Sequence, residues 1–137
     1  MKTSKRKVLA VGLCLVLTIC LGTVCAIAAT SGSVQLEDGG YHASGSSSIS
    51  VGSASANTQG SDPNMQIYVS GYYEYYYNYA ICGATYLKSQ TKNNSNSYHA
   101  AVDFDAGYDG RSKSLDSTHS FSIGYYNDSR NLHVEYH

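Results

Sequence analysis

The feature that most constrains this chain is a tyrosine-rich stretch from Gln66 to Leu87, which holds eight of the fourteen tyrosines in the sequence. Tyrosine and β-branched side chains fit the pleated, half-buried surface of a sheet, so the stretch predicts the central β segment of the fold. Its residues alternate between a more apolar set and a more polar set. The apolar set is Ile67, Val69, Tyr73, Tyr75, Tyr77, Tyr79 and Ile81, and the polar set is Gln66, Tyr68, Ser70, Tyr72, Glu74, Tyr76 and Asn78. Because strands usually have about five or six residues, we expect a break near Gly71 or near Asn78 and therefore two strands.

The N-terminus has the three parts of a secretory signal. Four basic residues lie within the first seven positions, an uncharged and mostly apolar run follows from Val8 to Ala29, and Ala26-Ile27-Ala28 is a small-residue cleavage site. We therefore predict a signal peptide over residues 1–28 and a secreted, extracellular product. The apolar run is also long enough to span a bilayer as an uncleaved anchor, but Gly22 and the small residues after it favour cleavage.

Cleavage changes the charge and the cysteine content of the chain. It removes four of the nine basic residues and none of the ten acidic ones, which leaves five against ten and a net charge of −5. Such a product argues against nucleic acid and anionic lipid as partners, so contact with a membrane is expected only through the signal segment before cleavage. Cys82 is then the one cysteine left, and it predicts either a small buried hydrophobe or an intermolecular disulfide or reactive thiol.

The rest of the chain divides into two parts by composition. Residues 29–64 are rich in Ser and Gly, and their weak strand patterns compete with the interpretation of a flexible linker. Residues 65–137 are predicted to hold the core, with a strand over 98–106, a C-terminal hairpin turning at Asn127-Asp128-Ser129, and polar loops over 88–97 and 107–117. Since no helical period is present, the sequence predicts an all-β fold, a small antiparallel β-sandwich of six or seven short strands.

No arrangement of residues indicates catalysis, so we predict no enzymatic activity and no cofactor. Twenty serines downstream of residue 28 make any Ser–His–Asp combination uninformative, and no Gly-x-Ser-x-Gly motif is present. The carboxylates Asp105, Asp109 and Asp116 match a calcium loop in part, but Gly107 occupies a position that needs an oxygen ligand. A solvated turn with ion pairs to Arg111 and Lys113 explains the same residues, and we expect no bound metal.

Tyr68, Tyr72, Tyr76 and Tyr86 are the candidate binding residues, because they fall on the more polar side of the central segment. If that side is exposed, their amphipathic rings suit stacking on sugar rings or packing into a partner surface. The alternative is that both faces are buried, or that a bulge reverses the alternation.

The second half of the chain resembles the lactococcin 972 family of secreted bacteriocins. The matching residues are His99 and Val102, then Gly110, Arg111 and Ser112, then Ser120-Phe121-Ser122-Ile123 and the final Tyr136. The chain departs from the family in having no Trp and in carrying an additional Ser/Gly-rich N-terminal third. The resemblance implies a β-sandwich without disulfides and an antibacterial protein that acts at the envelope of competing Gram-positive cells through a cell-wall precursor.

The sequence therefore leads to three functional hypotheses. The first is a secreted, non-enzymatic, bacteriocin-like protein acting at the bacterial envelope. The second is an extracellular carbohydrate-binding or adhesion module that uses exposed tyrosines, with a glycan as its partner. The third is a secreted hydrolase, which would need a pocket where a His meets a Ser or an acid.

Overall fold

The computed structural model describes residues 30–79 and 84–137. The predicted signal peptide, the predicted end of the apolar set at Ile81, and Cys82 lie outside the described residues. The described part contains eight strands and no helix, and hence no helix of the length and apolarity that a membrane crossing requires. The strands are β1 (Thr30–Asp38), β2 (Tyr41–Ile49), β3 (Ser53–Gly60), β4 (Gln66–Tyr79), β5 (Ala84–Ser97), β6 (His99–Asp105), β7 (Gly110–Ile123) and β8 (Tyr126–Glu135).

The strands form two antiparallel sheets that pack face to face. Sheet 1 has the order β1-β2-β3-β6, and sheet 2 has the order β5-β4-β7-β8. The prediction of an all-β antiparallel sandwich is confirmed. The described residues form eight strands where six or seven were expected, and β4, β5 and β7 each run for fourteen residues.

The Ser/Gly-rich N-terminal segment forms strands and not a linker. It supplies β1, β2 and β3, three of the four strands of sheet 1. Its few apolar side chains point inward, and Leu36, Ile49 and Ala56 are almost completely buried while serines alternate with them on the outside. The core is therefore built from both parts of the chain.

Strand β4 runs without interruption through Gly71, so a break at that point is wrong, but the stretch does form two strands, β4 ending at Tyr79 and β5 beginning at Ala84, close to the second predicted break point. The pairing with β7 shifts between Glu74 and Tyr75, but Lys113 of β7 is the additional residue, so the alternation along β4 is unchanged. Ile67, Val69 and Tyr73 are fully buried on its inner side. Gly71 also faces inward, where an added Cβ would lie 2.8 Å from the ring of Phe104. The absence of a side chain at Gly71 leaves room for the ring of Phe104, and the strand continues through this position.

Two predicted loops are strands. Residues 88–97 belong to β5, and the predicted loop over 107–117 is β7 from Gly110 onward. The C-terminal hairpin is present, but its turn lies at Gly124 and Tyr125, with Ile123 opposite Tyr126. Gly124 has φ of +58°, a conformation that glycine adopts without strain at the first position of a two-residue hairpin turn. Asn127-Asp128-Ser129 therefore lies within β8.

Side chains close both open sides of the sandwich. On one side, Gln90 Nε2 of β5 donates to the carbonyl of Asp105 at 2.7 Å, and Asn94 Nδ2 donates to the carbonyl of Ala101 at 3.0 Å. On the other side, Asp128 of β8 accepts a hydrogen bond from the amide of Glu37 on β1 at 3.1 Å, and this bond lowers the pKa of Asp128. These contacts give partners to backbone groups that edge strands would otherwise present to solvent.

Candidate functional site

The outer side of sheet 2 carries a row of tyrosines. Tyr68, Tyr72 and Tyr76 of β4 are 39%, 43% and 43% exposed, although β4 is an inner strand with a neighbour on each side. They are four residues apart, so they share one face and follow each other at about 13 Å. We call the outer surface of β5, β4, β7 and β8 around these rings the tyrosine face. Of the two alternatives that the sequence leaves open for this side of the segment, exposure is the one found for these three residues.

Polar side chains separate the rings along the strand and across it. Ser70 and Glu74 lie between them on β4. The strand register places Tyr68 between Ser95 and Ser120, Tyr72 between Thr91 and Asp116, and Tyr76 between Leu87 and Arg111. The tyrosine face is therefore an array of isolated rings among hydroxyl groups and charged groups, and not a continuous apolar patch.

Two depressions open on the tyrosine face beside the rings. The one beside Tyr68 has a volume of about 370 Å³, and the one beside Tyr72 has a volume of about 400 Å³. Hydroxyl and amide groups line both of them. They include Ser95, Ser120 and Asn127 in the first depression, and Thr91, Thr118 and Asn131 in the second. Such groups can donate hydrogen bonds to a ligand and accept them from it.

The charged side chains near Tyr72 are paired with each other. Nδ1 of His133 lies 2.6 Å from Oδ1 of Asp116, and Nε2 lies 3.2 Å from Oε1 of Glu135. The hydrogen bond with Asp116, followed by that with Glu135, raises the pKa of His133. Lys113 Nζ donates to Glu74 Oε2 at 2.7 Å, which lowers the pKa of Glu74. Three carboxylates thus face one lysine and one histidine, and every one of these groups has a charged or hydrogen-bonding partner.

Tyr86 belongs to a different surface. It is 49% exposed, but it lies opposite Tyr77, and directly opposed residues of an antiparallel pair point to the same face. Tyr77 points inward like Tyr73 and Tyr75, so Tyr86 points away from the tyrosine face. Leu87 is the residue of β5 that lies beside Tyr76. The structure thus brings together three of the four predicted residues.

Sequence reasoning missed the residues that β7 and β8 add to the site, chiefly Thr118, Asn131 and His133. These polar residues alternate along the sequence with Ser117, Leu132 and Val134, and this alternation could have predicted that they lie on the outer face of the sheet. The register that brings them beside Tyr72 depends on the position of the hairpin turn and on the bulge at Lys113, and neither was apparent in the sequence.

The residues shared with the bacteriocin pattern do not gather in one place. His99 lies exposed at the start of β6, and Val102 is buried in the core. Gly110 is buried where an added Cβ would lie 2.3 Å from the carbonyl oxygen of Ala106, and Ser112 Oγ is 2.6 Å from the hydroxyl of Tyr73. Arg111, next to Tyr76, and Ser120, next to Tyr68, lie on the tyrosine face.

The three carboxylates of the calcium hypothesis are also distributed. Asp105 ends β6, where Oδ1 accepts the amide of Gly107 at 2.7 Å, and Asp109 lies in the following turn. Asp116 is seven residues beyond Asp109 along an extended chain, about 20 Å away, and is bonded to His133. In residues 30–79 and 84–137, no group of three or more His, Cys, Asp or Glu residues is arranged to hold a metal ion.

One Ser–His cluster lies in the core. His119 is fully buried, with Nε2 2.9 Å from Ser117 Oγ and 3.2 Å from Ser47 Oγ, and Nδ1 2.8 Å from Thr58 Oγ1. Burial lowers the pKa of His119. The two serines are themselves buried, and the ring bonds to a threonine in place of an orienting carboxylate, so a substrate would not reach this cluster.

No protein-family model and no curated protein sequence matches this chain. The interpretation of the tyrosine face therefore depends on its own chemistry.

Proposed function

We propose that this chain is a secreted, non-enzymatic protein that binds glycan of the bacterial envelope through the tyrosine face. The observation that carries the proposal is the row of Tyr68, Tyr72 and Tyr76, each about two-fifths exposed and each with at least one polar cross-strand neighbour. A tyrosine ring offers an apolar face to the apolar side of a sugar ring, while its hydroxyl group remains available to water or ligand. Neighbouring hydroxyl and amide groups can then fix the orientation of the sugar.

The arrangement of charge supports binding in preference to catalysis. General acid–base chemistry needs a titratable group within reach of a ligand and free to exchange a proton. On the tyrosine face, His133 and Lys113 are held by carboxylates, and Glu74 is held by Lys113. The buried His119 is closed to solvent.

Glycan binding is compatible with two biological uses, and the resemblance to the lactococcin 972 family favours the first. In that use the protein binds a cell-wall precursor and stops the growth of competing Gram-positive cells. In the second use it is an adhesion module that attaches to a glycan without harming the cell that carries it. The two uses share the tyrosine face and differ in the effect that binding has on the cell.

Retention on purified cell walls tests the binding. We expect the mature protein to sediment with purified peptidoglycan and Tyr72→Ala to remain in solution. Tyr125→Ala is the matched control, because Tyr125 is 99% exposed in the turn between β7 and β8, away from the row on β4. Circular dichroism should be the same for all three proteins. Wild-type protein that does not sediment with the walls would overturn the proposal.

A spot assay separates the two uses. Zones of clearing on Gram-positive indicator strains, suppressed by added soluble cell-wall precursor and absent for Tyr72→Ala, would assign bacteriocin-like action. Retention on walls without clearing at micromolar protein would assign adhesion.

A further inference from the structure

The geometry of the tyrosine face also specifies the shape of its ligand. The three rings project from a single strand, and the distance from Tyr68 to Tyr76 spans eight residues, or about 27 Å. Because β4 pairs with β5 on one side and β7 on the other, the backbone that spaces these rings is fixed by hydrogen bonds along its whole length. The row is therefore long, and the sheet fixes the spacing of its rings.

The depressions lie along the same line. One is beside Tyr68 and the other beside Tyr72, and residues of both β5 and β7 contribute to each of them. Both are open to solvent, so a single sugar would be covered on one side and would contact one ring. A ligand that fills both depressions must instead run parallel to β4.

The chemistry around the rings fits a chain of hydroxyl-rich units. Ser70, Thr118 and Asn131 form one cross-strand row between Tyr68 and Tyr72, and Ser95 and Ser120 flank Tyr68. Lys113 is paired with Glu74, and His133 is paired with Asp116 and Glu135. A polymer of sugar rings has the matching alternation, since each ring offers an apolar face for stacking and hydroxyl groups at its edge.

A protein partner fits these observations less well. Protein interfaces concentrate their aromatic anchors in a dry central cluster surrounded by a polar rim. Here the rings are about 13 Å apart and a polar residue of β4 separates each pair, so no such centre exists.

We propose that the ligand is an extended, linear glycan chain that lies along β4 and occupies Tyr68, Tyr72 and Tyr76 as three subsites. This inference rests on the proposed function and adds the form of the ligand and its direction on the protein. Each ring alone gives weak binding, and a chain that reaches all three gains because its second and third contacts are intramolecular.

The test uses glycan strands released from peptidoglycan and fractionated by length, with affinity measured by titration calorimetry. We expect a disaccharide to bind below detection and affinity to rise with length until the strand spans about 27 Å, after which it should be constant. Tyr68→Ala should weaken the binding of long strands by about tenfold and leave intermediate strands unaffected, because these can occupy the other two rings. Tyr68→Phe should restore the binding of long strands, since it keeps the ring.

Tyr86→Ala and Tyr108→Ala are the controls, because both residues are exposed and neither belongs to the row on β4. Both should bind strands of every length as the wild type does. Equal affinity for the disaccharide and the long strands would overturn the inference and leave glycan binding in place. Binding to intact walls without binding to any isolated strand would overturn it as well, whereas failure to bind walls and strands alike would overturn the proposed function.

Discussion

The hydroxyl of Thr58 on β3 lies 2.8 Å from Nδ1 of His119 on β7 and joins the two sheets across the middle of the core. The other ring nitrogen is within hydrogen-bonding distance of Ser117 on the same strand and Ser47 on β2. In the described residues, every buried side-chain nitrogen and oxygen has a partner. The cluster around His119 is thus a fully satisfied polar centre in an otherwise apolar interior, and such a centre is sensitive to the loss of one member.

Thr58→Val removes the hydroxyl group and keeps the shape of the side chain. We expect it to lower the free energy of unfolding by about 1–3 kcal/mol, because the buried hydrogen bond between the Thr58 hydroxyl and Nδ1 of His119 is lost. Urea denaturation followed by circular dichroism measures the change. Thr118→Val is the matched control, since Thr118 bonds to Asn131 on the outer face, and it should cost less than about 0.5 kcal/mol. Equal effects of the two substitutions would contradict the role given to the buried cluster.

The ring of His119 occupies the space that a side chain at position 45 would need. An added Cβ at Gly45 would lie 2.4 Å from Cγ of His119, and the imidazole is held at both nitrogens. Gly45→Ala should therefore cost about 1–3 kcal/mol of overpacking. Gly52→Ala is the comparison, because its added Cβ would meet nothing closer than 3.6 Å. We expect Gly45→Ala to lower the melting temperature and Gly52→Ala to leave it unchanged. If Gly45→Ala does not lower it, the ring of His119 does not occupy this space.

Two histidines give the stability opposite dependences on pH. Burial lowers the pKa of His119 below its ordinary 6.5. The unfolded chain therefore binds the proton more readily than the folded protein does, and the stability falls as the pH falls through 6.5. The hydrogen bond with Asp116 raises the pKa of His133 above its ordinary 6.5. Protonated His133 therefore stabilises the fold fully below pH 6.5, and this stabilisation is lost as the pH rises through the pKa of the folded state.

Replacing each histidine by asparagine separates the two effects. On acidification from about pH 7.5 to pH 5.5, the melting temperature of His133→Asn should fall further than that of the wild type, because the stabilising protonation of His133 is gone. The melting temperature of His119→Asn should fall less, because the unfavourable protonation is gone. Thermal melts at the two pH values measure both changes. The same pH dependence in all three proteins would contradict the assigned directions.

The tyrosine row could be predicted from sequence because β4 alternates without interruption, with the bulge falling on Lys113 of its neighbour. The orientation of Tyr86 could not, since it depends on the register of the β4–β5 pair and not on the pattern within either strand. His119 had no recognisable partner in the sequence, because Ser47 and Thr58 are 72 and 61 residues away. Its alternation with Leu115 and Phe121 indicates the inner side of β7, but its partners on β2 and β3 follow from sheet packing, which no local pattern indicates.

Residues 88–97 of β5 were predicted as a loop because neither side of this run is apolar. Its outward residues meet solvent, while Gln90, Lys92 and Asn94 point inward and donate to carbonyls of β6. A run that is polar on both sides has the composition of a loop. Its strand identity follows from its backbone pairing with β4, which no pattern within the run itself indicates.

Removing two of these donors tests the closure of the sandwich. Gln90→Ala/Asn94→Ala deprives the carbonyls of Asp105 and Ala101 of their partners, so we expect a loss of about 1–2 kcal/mol and faster hydrogen exchange in β6. Thr91→Ala/Asn93→Ala is the matched control, because both residues lie on the outer side of the same strand. The exposed carbonyls should also make the first variant more prone to edge-to-edge association, visible by light scattering at high concentration. If both variants exchange at the wild-type rate, the side chains of β5 do not hold the edge of sheet 1.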